Sequence, residues 1–130
     1  MSTIRTAFFD AKEYDRTFFD RADEDYNIDI DYFDGHLTPA AAPLTRNYDA
    51  VCVFVNDEIN ADTVNVLHDS GVSLLALRSA GYNNVDLKAA YEKVHVVRVP
   101  AYSPYAVAEH AAALMLALNR KVHRAFYRTR

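Results

Sequence analysis

A parallel, doubly wound α/β sheet is the fold class that the sequence predicts, and three observations lead to it. Five short apolar or alternating runs recur over residues 4–100, and helix-compatible segments separate most of them. The run "DAVCVFVN" is apolar without interruption, as a central parallel strand must be when both of its faces are covered. Alternation of the form βαβαβαβαβ with right-handed crossovers then gives a five-stranded sheet of flavodoxin-like or Rossmann-like order 2-1-3-4-5, followed by a long C-terminal helix.

The elements follow in order. "IRTAFFDA" reads as the first strand and "EYDRTFFDRADED" as a polar helix. "NIDIDYFD" alternates strictly between apolar and polar residues, the pattern of a half-exposed edge strand. "GHLTPAAAPLTRN", with two prolines, has the composition of a loop joining that edge to the sheet interior. "DAVCVFVN" is the next strand. Asn60 or Asp62 is placed to cap a helix over "ADTVNVLHDS", which Gly71 ends. "VSLLALRS", a helix over "NVDLKAAYEK" and the strand "VHVVRVP" complete the sheet. From Pro104 onward the composition is helical, and "AAALMLAL" is apolar on every face. A helix of that kind needs cover that one small domain hardly supplies, so a second domain or a second chain is expected against it.

Size and charge set bounds on function. The chain has 130 residues, 51% of them apolar, enough for one domain with a real core. No apolar stretch is long enough to cross a bilayer and "MSTIRTAFFD" lacks the layout of a secretion signal, so the chain reads as cytoplasmic, with no membrane partner. Cys52 is the single cysteine, which excludes an intrachain disulfide and favours burial as a small hydrophobe. Net charge is -4, and ten of the eighteen acidic residues precede Gly35, whereas Arg120, Lys121, Arg124, Arg128 and Arg130 crowd the end. Because those cations follow a helix in an acidic chain, they read as a solvated or partner-facing helix end and not as a nucleic-acid surface.

Two stretches carry chemistry. In "LRSAGYNNVDL", Ser79, Ala80 and Gly81 fall in the turn beyond the carboxyl end of a strand, where α/β folds hold ligands. Glycine at 81 permits a conformation that exposes amide N–H groups, and small neighbours would let an anion approach them, with Asn84 or Asp86 capping the next helix. A plain strand-to-helix turn is the alternative reading of the same residues. In "VPAYSPYAVAEHA", Pro100 and Pro104 stiffen the strand exit and Ser103 can cap the long helix, which fixes the direction of Tyr102. A tyrosine there can offer its hydroxyl to a ligand or stay half-buried on its own domain. Glu109 and His110 adjoin on the helix but face different ways, and no metal site is expected.

Together, "LRSAGYNNVDL" and "VVRVPAYSPYAVAEHAAALMLALNRKVHRAFYRTR" resemble the N-terminal part of the D-isomer-specific 2-hydroxyacid dehydrogenases, above all the fermentative D-lactate dehydrogenases. "FFDAKEYDRTFF" and "DAVCVFVND" fit the same family, so the resemblance covers essentially the whole chain. One departure is "YEKVHVVRVP", where the family has a longer, glycine-containing link. The resemblance implies a two-domain enzyme that reduces pyruvate to D-lactate with NADH, a 2-keto acid or 2-hydroxy acid as substrate, and a homo-oligomer. It implies that the amides of Ala80 and Gly81 receive the substrate carboxylate, helped by the Tyr102 hydroxyl, and that Val107 lines the nicotinamide pocket. Arg78 is expected to be structural.

Residues 1–103 are then the substrate-side domain and 104–130 the interdomain helix. The NAD-binding domain is expected to be absent, because three glycines, Gly35, Gly71 and Gly81, cannot build a G-x-G-x-x-G fingerprint. The family's catalytic arginine, glutamate and histidine would lie beyond the chain, so no catalytic residue is assigned, and none of His36, His68, His95, His110 or His123 takes that role. NAD is the family's cofactor and is not expected to bind this chain stably. The alternatives are another D-2-hydroxyacid specificity, or a phosphoacceptor receiver-like domain with Asp57 as acceptor and Asp10 as metal ligand.

Overall fold

Five strands, β1 (Ile4–Phe8), β2 (Ile28–Tyr32), β3 (Ala50–Val53), β4 (Leu74–Leu77) and β5 (His95–Arg98), pair in parallel in the order 2-1-3-4-5. This is the expected sheet, here in a computed structural model that describes residues 3–23 and 26–129. Five helices accompany it: α1 (Glu13–Asp23), α2 (Ala61–Asp69), α3 (Leu87–Ala90), α4 (Pro104–Arg120) and α5 (Val122–Arg128).

The period-two geometry of a strand decides which side chain goes to which face. Ala7, Phe9, Val51, Val53, Leu75 and Leu77 share one buried cluster with Leu37, Ile59 and the α2 residues Val64 and Leu67. Phe8 and Cys52 point the other way and join Ala11, with Ile30, Tyr32 and Ala76 packed around them. There the Phe19 ring of α1 meets Phe8 edge-on at 4.8 Å. Each fully buried large side chain contributes about 1.5–3 kcal/mol. The all-buried β3 therefore anchors both layers. At the sheet edge, β2 alternates half-buried Ile28, Ile30 and Tyr32 with exposed Asp29 and Asp31, as its sequence pattern predicts. Arg5 of β1 reaches across to Asp31 at 3.5 Å and Asp29 at 3.9 Å.

Turn chemistry sets the boundaries. Asn60, not Asp62, caps α2, accepting from the Thr63 amide at 3.0 Å. Gly71 follows with φ +88°, in the left-handed region where a Cβ is strained. The loop over residues 35–47 holds a 3-10 turn, Ala42–Thr45, that alternation could not reveal. Leu37, Ala42 and Thr45 drive it, all fully buried, with the Thr45 hydroxyl donating to the Ala42 carbonyl at 2.7 Å. Helix α3 is a single turn, shorter than its sequence suggests. Asp86 caps it, accepting from the Ala89 amide at 3.0 Å, and the chain leaves it through Glu92 at φ +60°. That left-handed residue closes the link to β5 without a glycine.

The chain divides between Pro100 and Ala101 into two units. In the second, the Ser103 side chain accepts from the Ala106 amide at 3.3 Å and Pro104 occupies the first turn. The single helix expected to the end of the chain is instead broken. Lys121 takes φ +54° and its amide returns to the Ala117 and Leu118 carbonyls, separating α4 from α5. No glycine or proline marks that break, so composition gave no sign of it. Leu114, Met115, Leu116 and Leu118 are exposed. Among the described residues, no helix is long and apolar enough to cross a membrane.

Candidate functional site

Two polar constellations gather beyond the carboxyl ends of the strands. The first closes the end of β1. Arg78, just past β4, donates from Nη1 to Asp15 Oδ2 at 3.0 Å and from Nη2 to the Phe9 carbonyl at 2.6 Å, and its guanidinium carbon lies 4.2 Å from the Phe8 ring centroid. Asp15 also accepts from the Lys12 amide at 3.0 Å. Those contacts give Arg78 the structural place expected of it. Asp57 has no exposed side-chain surface and accepts from two backbone amides, Leu37 at 2.7 Å and Phe54 at 2.6 Å. Burial pushes its carboxyl above the ordinary range, against the pull of those two amides. Asp57 thus serves the fold from a position no phosphodonor could reach.

Asp10 sits beside it at φ +49°, with Lys12 Nζ at 2.6 Å and His36 Nδ1 3.7 Å from its Oδ1. His36 Nδ1 lies equally far from Asp57 Oδ1. Among the described residues, no group of three His, Cys, Asp or Glu side chains could hold a metal ion. The hydrogen bond from Lys12 is the main reason that Asp10 titrates below the ordinary carboxylate range, partly opposed by burial. A carboxylate lowered on folding stabilises above its unfolded pKa, and that contribution disappears as pH falls through the lower folded value. Asp10→Asn is therefore expected to lower stability near neutrality and flatten the acid limb, read by urea unfolding at about pH 7 and about pH 3.

Cys52 is buried in β3, which pushes its thiol up to about 12 and leaves it unreactive.

The second constellation is the turn that follows β4. Three consecutive carbonyls are engaged there. Ser79 O accepts from the Val99 amide at 3.2 Å, Ala80 O from Arg98 Nη1 at 2.8 Å, and Gly81 O from the Ser79 hydroxyl at 2.8 Å. No described residue accepts from the amide nitrogens of Ala80 or Gly81. Ala80 is half-buried and Gly81 exposed. Farther along, Asn84 Nδ2 donates to Phe54 O at 3.0 Å and Asp57 O at 3.1 Å, which ties the turn to the loop after β3. A cleft of about 270 Å³ lies alongside, lined by Leu77, Tyr82, Leu87, Val96 and Arg98.

At Gly81 the backbone does not use the freedom that glycine offers. Its φ lies outside the left-handed region and a Cβ placed there would meet nothing within 4 Å. No backbone conformation demands glycine; what it leaves is open space at the turn.

The structure brings Ala80 and Gly81 together in the first unit. Tyr102 and Val107 belong to the second, Tyr102 just before the Ser103 cap and Val107 in the first turn of α4, with 69% and 61% of their surfaces exposed. Sequence reasoning missed Arg98 and the Ser79 hydroxyl. The available signal for Arg98 was its register, since it stands opposite Leu77 on the neighbouring strand, at the exit beside the turn.

Comparison with known proteins gives the chain its relatives. Residues 6–129 match the family model described as D-isomer specific 2-hydroxyacid dehydrogenase, catalytic domain. The chain is 52% identical to 2-hydroxyacid dehydrogenase homolog 1 of Schizosaccharomyces pombe, over 98% of this chain and 39% of that protein. The apo-structure of D-lactate dehydrogenase from Escherichia coli superposes with a TM-score of 0.86 at 44% identity, covering 98% of this chain and 41% of that one. D-lactate dehydrogenase with NAD+ from Lactobacillus jensenii gives a TM-score of 0.69 at 26% identity, over 92% of this chain and 37% of that one. The chain thus spans about two fifths of the length of these relatives.

Proposed function

This chain belongs to the D-isomer specific 2-hydroxyacid dehydrogenases, and from that premise we propose that it forms the substrate-side part of an NAD-dependent D-lactate dehydrogenase. Residues 1–103 form the substrate-side domain in this reading and 104–130 the interdomain helix. Ala80 and Gly81 donate their amides to the carboxylate of pyruvate, the Tyr102 hydroxyl assists, and Val107 borders the nicotinamide. One observation carries the assignment: two adjacent amides without an acceptor at the carboxyl end of a parallel strand, on a turn where the carbonyls of Ser79, Ala80 and Gly81 are engaged. Two neighbouring N–H groups without an acceptor, beside a glycine with open space around it, suit a small carboxylate.

NAD supplies the hydride when bound. The residues of this chain do not fit a dinucleotide by themselves, for a G-x-G-x-x-G turn is absent from its sequence. Their part is to bind and orient the keto acid. The polypeptide corresponding to the remaining length of the relatives holds the cofactor and the acid/base groups, and the exposed apolar residues of α4 are the surface it or a second subunit covers. The chain alone is accordingly inactive.

The test is a chimera in which this chain replaces the matching part of the Escherichia coli D-lactate dehydrogenase. Pyruvate-dependent oxidation of NADH by the chimera, with none from the isolated chain, is the expected result. Activity of the isolated chain, or a folded chimera inert toward pyruvate and every other 2-keto acid offered, overturns the reading. Preference for a bulkier 2-keto acid would move the specificity elsewhere in the family, as the broader name of the Schizosaccharomyces pombe relative allows.

In the same chimera, Gly81→Ala is expected to raise KM for pyruvate about tenfold, by crowding the space beside the amides, while kcat changes little. Stability should hold or rise by about 0.4–1 kcal/mol, because alanine reduces the entropy of the unfolded chain. Thermal melting beside steady-state kinetics checks both signs.

A further inference from the structure

We propose that Arg98 is a positioning residue that holds the Ala80–Gly81 peptide with its N–H turned toward the substrate; the inference rests on the carboxylate reading above. Within a planar trans peptide, C=O and N–H point in opposite directions. Whatever fixes the Ala80 carbonyl therefore aims the Gly81 amide. That carbonyl accepts from Arg98 Nη1 at 2.8 Å, and the same nitrogen reaches the Pro100 and Val99 carbonyls at 3.3 and 3.4 Å. One guanidinium corner thus ties the β4 turn to the exit of β5.

Other features agree. The Arg98 guanidinium carbon lies 5.4 Å from the Tyr82 ring centroid, so the next residue of the turn flanks it. No carboxylate among the described residues lies within ion-pair distance of Arg98. Its charge is therefore left to polarise the peptide it binds and to favour an anion on the far side. Asymmetry between the two amides follows: the Ala80 N–H is aimed by a neutral backbone bond, Val99 N to Ser79 O at 3.2 Å, and the Gly81 N–H by a charged one. Arg98 is exposed and on the last residue of its strand, so its removal spares the core.

The isolated, isotope-labelled 130-residue chain provides the test. In the unsubstituted protein the Gly81 amide should relax as rigidly as the neighbouring strand, and added sodium pyruvate should shift the Ala80 and Gly81 resonances. Arg98→Met keeps the apolar stem and the melting temperature. It should loosen the Gly81 amide and weaken the pyruvate response at least about tenfold, and Arg98→Lys, which keeps the charge but loses the planar fork, should fall between. A Gly81 amide equally rigid and equally responsive in Arg98→Met overturns the proposal. A turn that loosens in Arg98→Met while the unsubstituted protein ignores pyruvate upholds the anchoring and overturns the carboxylate reading, so the two failures are distinct.

Discussion

Replacement of Arg78 by methionine is expected to cost about 3–5 kcal/mol of folding stability, the range seen when one partner of a buried ion pair is removed. Arg78 and Asp15 keep only 11% and 9% of their side-chain surfaces exposed, at an Nη1 to Oδ2 distance of 3.0 Å. Methionine keeps an unbranched apolar side chain but loses the guanidinium that lies over the Phe8 and Phe54 rings, while the Asp15 carboxylate loses its cation and the Phe9 carbonyl its donor at 2.6 Å. Most of the loss is the desolvation of what stays behind. The double variant Arg78→Met/Asp15→Asn should therefore recover a large part of it, and the cycle of four proteins measured by denaturant unfolding gives the coupling directly. An unchanged midpoint in the single variant would show that the pair is idle.

Asp57→Ala should be nearly as damaging. Its carboxylate is the acceptor for the Leu37 and Phe54 amides, and each buried donor left without an acceptor costs about 1–3 kcal/mol, on the order of 2–6 kcal/mol for both. A pH signature accompanies the loss. Because burial raises the Asp57 carboxyl on folding, the folded state takes up a proton more readily than the unfolded chain. Stability from this group is greatest below the unfolded pKa and declines as pH rises through the folded one. Urea midpoints for both proteins across the acid range should differ in slope with that sign. A variant of unchanged stability, or labelling of Asp57 by a small phosphodonor with magnesium, would contradict the structural role.

Sheet order and strand placement were legible in the sequence because the signal is periodic. The strict alternation of "NIDIDYFD" and the unbroken apolar run around Cys52 each describe a distinct position in a parallel sheet. The caps were legible for a similar reason, since Ser103 followed by Pro104, or Asn60 before α2, is a local arrangement. What stayed hidden depends on residues far apart in the chain. The 3-10 turn forms because Leu37 and Ala42 find the core, and the break at Lys121 is a backbone choice no residue type announced. At the turn after β4 the small residues Ala80 and Gly81 were legible as a local pattern, whereas the backbone angle at Gly81, which lies outside the left-handed region, is set by the fold. Arg98 lies seventeen residues from Gly81 in sequence, and only strand register carries it to the Ala80 carbonyl.

Sheet margins in other proteins recruit further strands, and fibrils grow by that route. Here the outer margin offered by β2 bears Asp29 and Asp31 along its length. A second molecule docking there in the same register would stack like charges with no counterion of its own to spare, since Arg5 is already spent on its own two aspartates. The β2 margin is thereby guarded against in-register recruitment of a further strand.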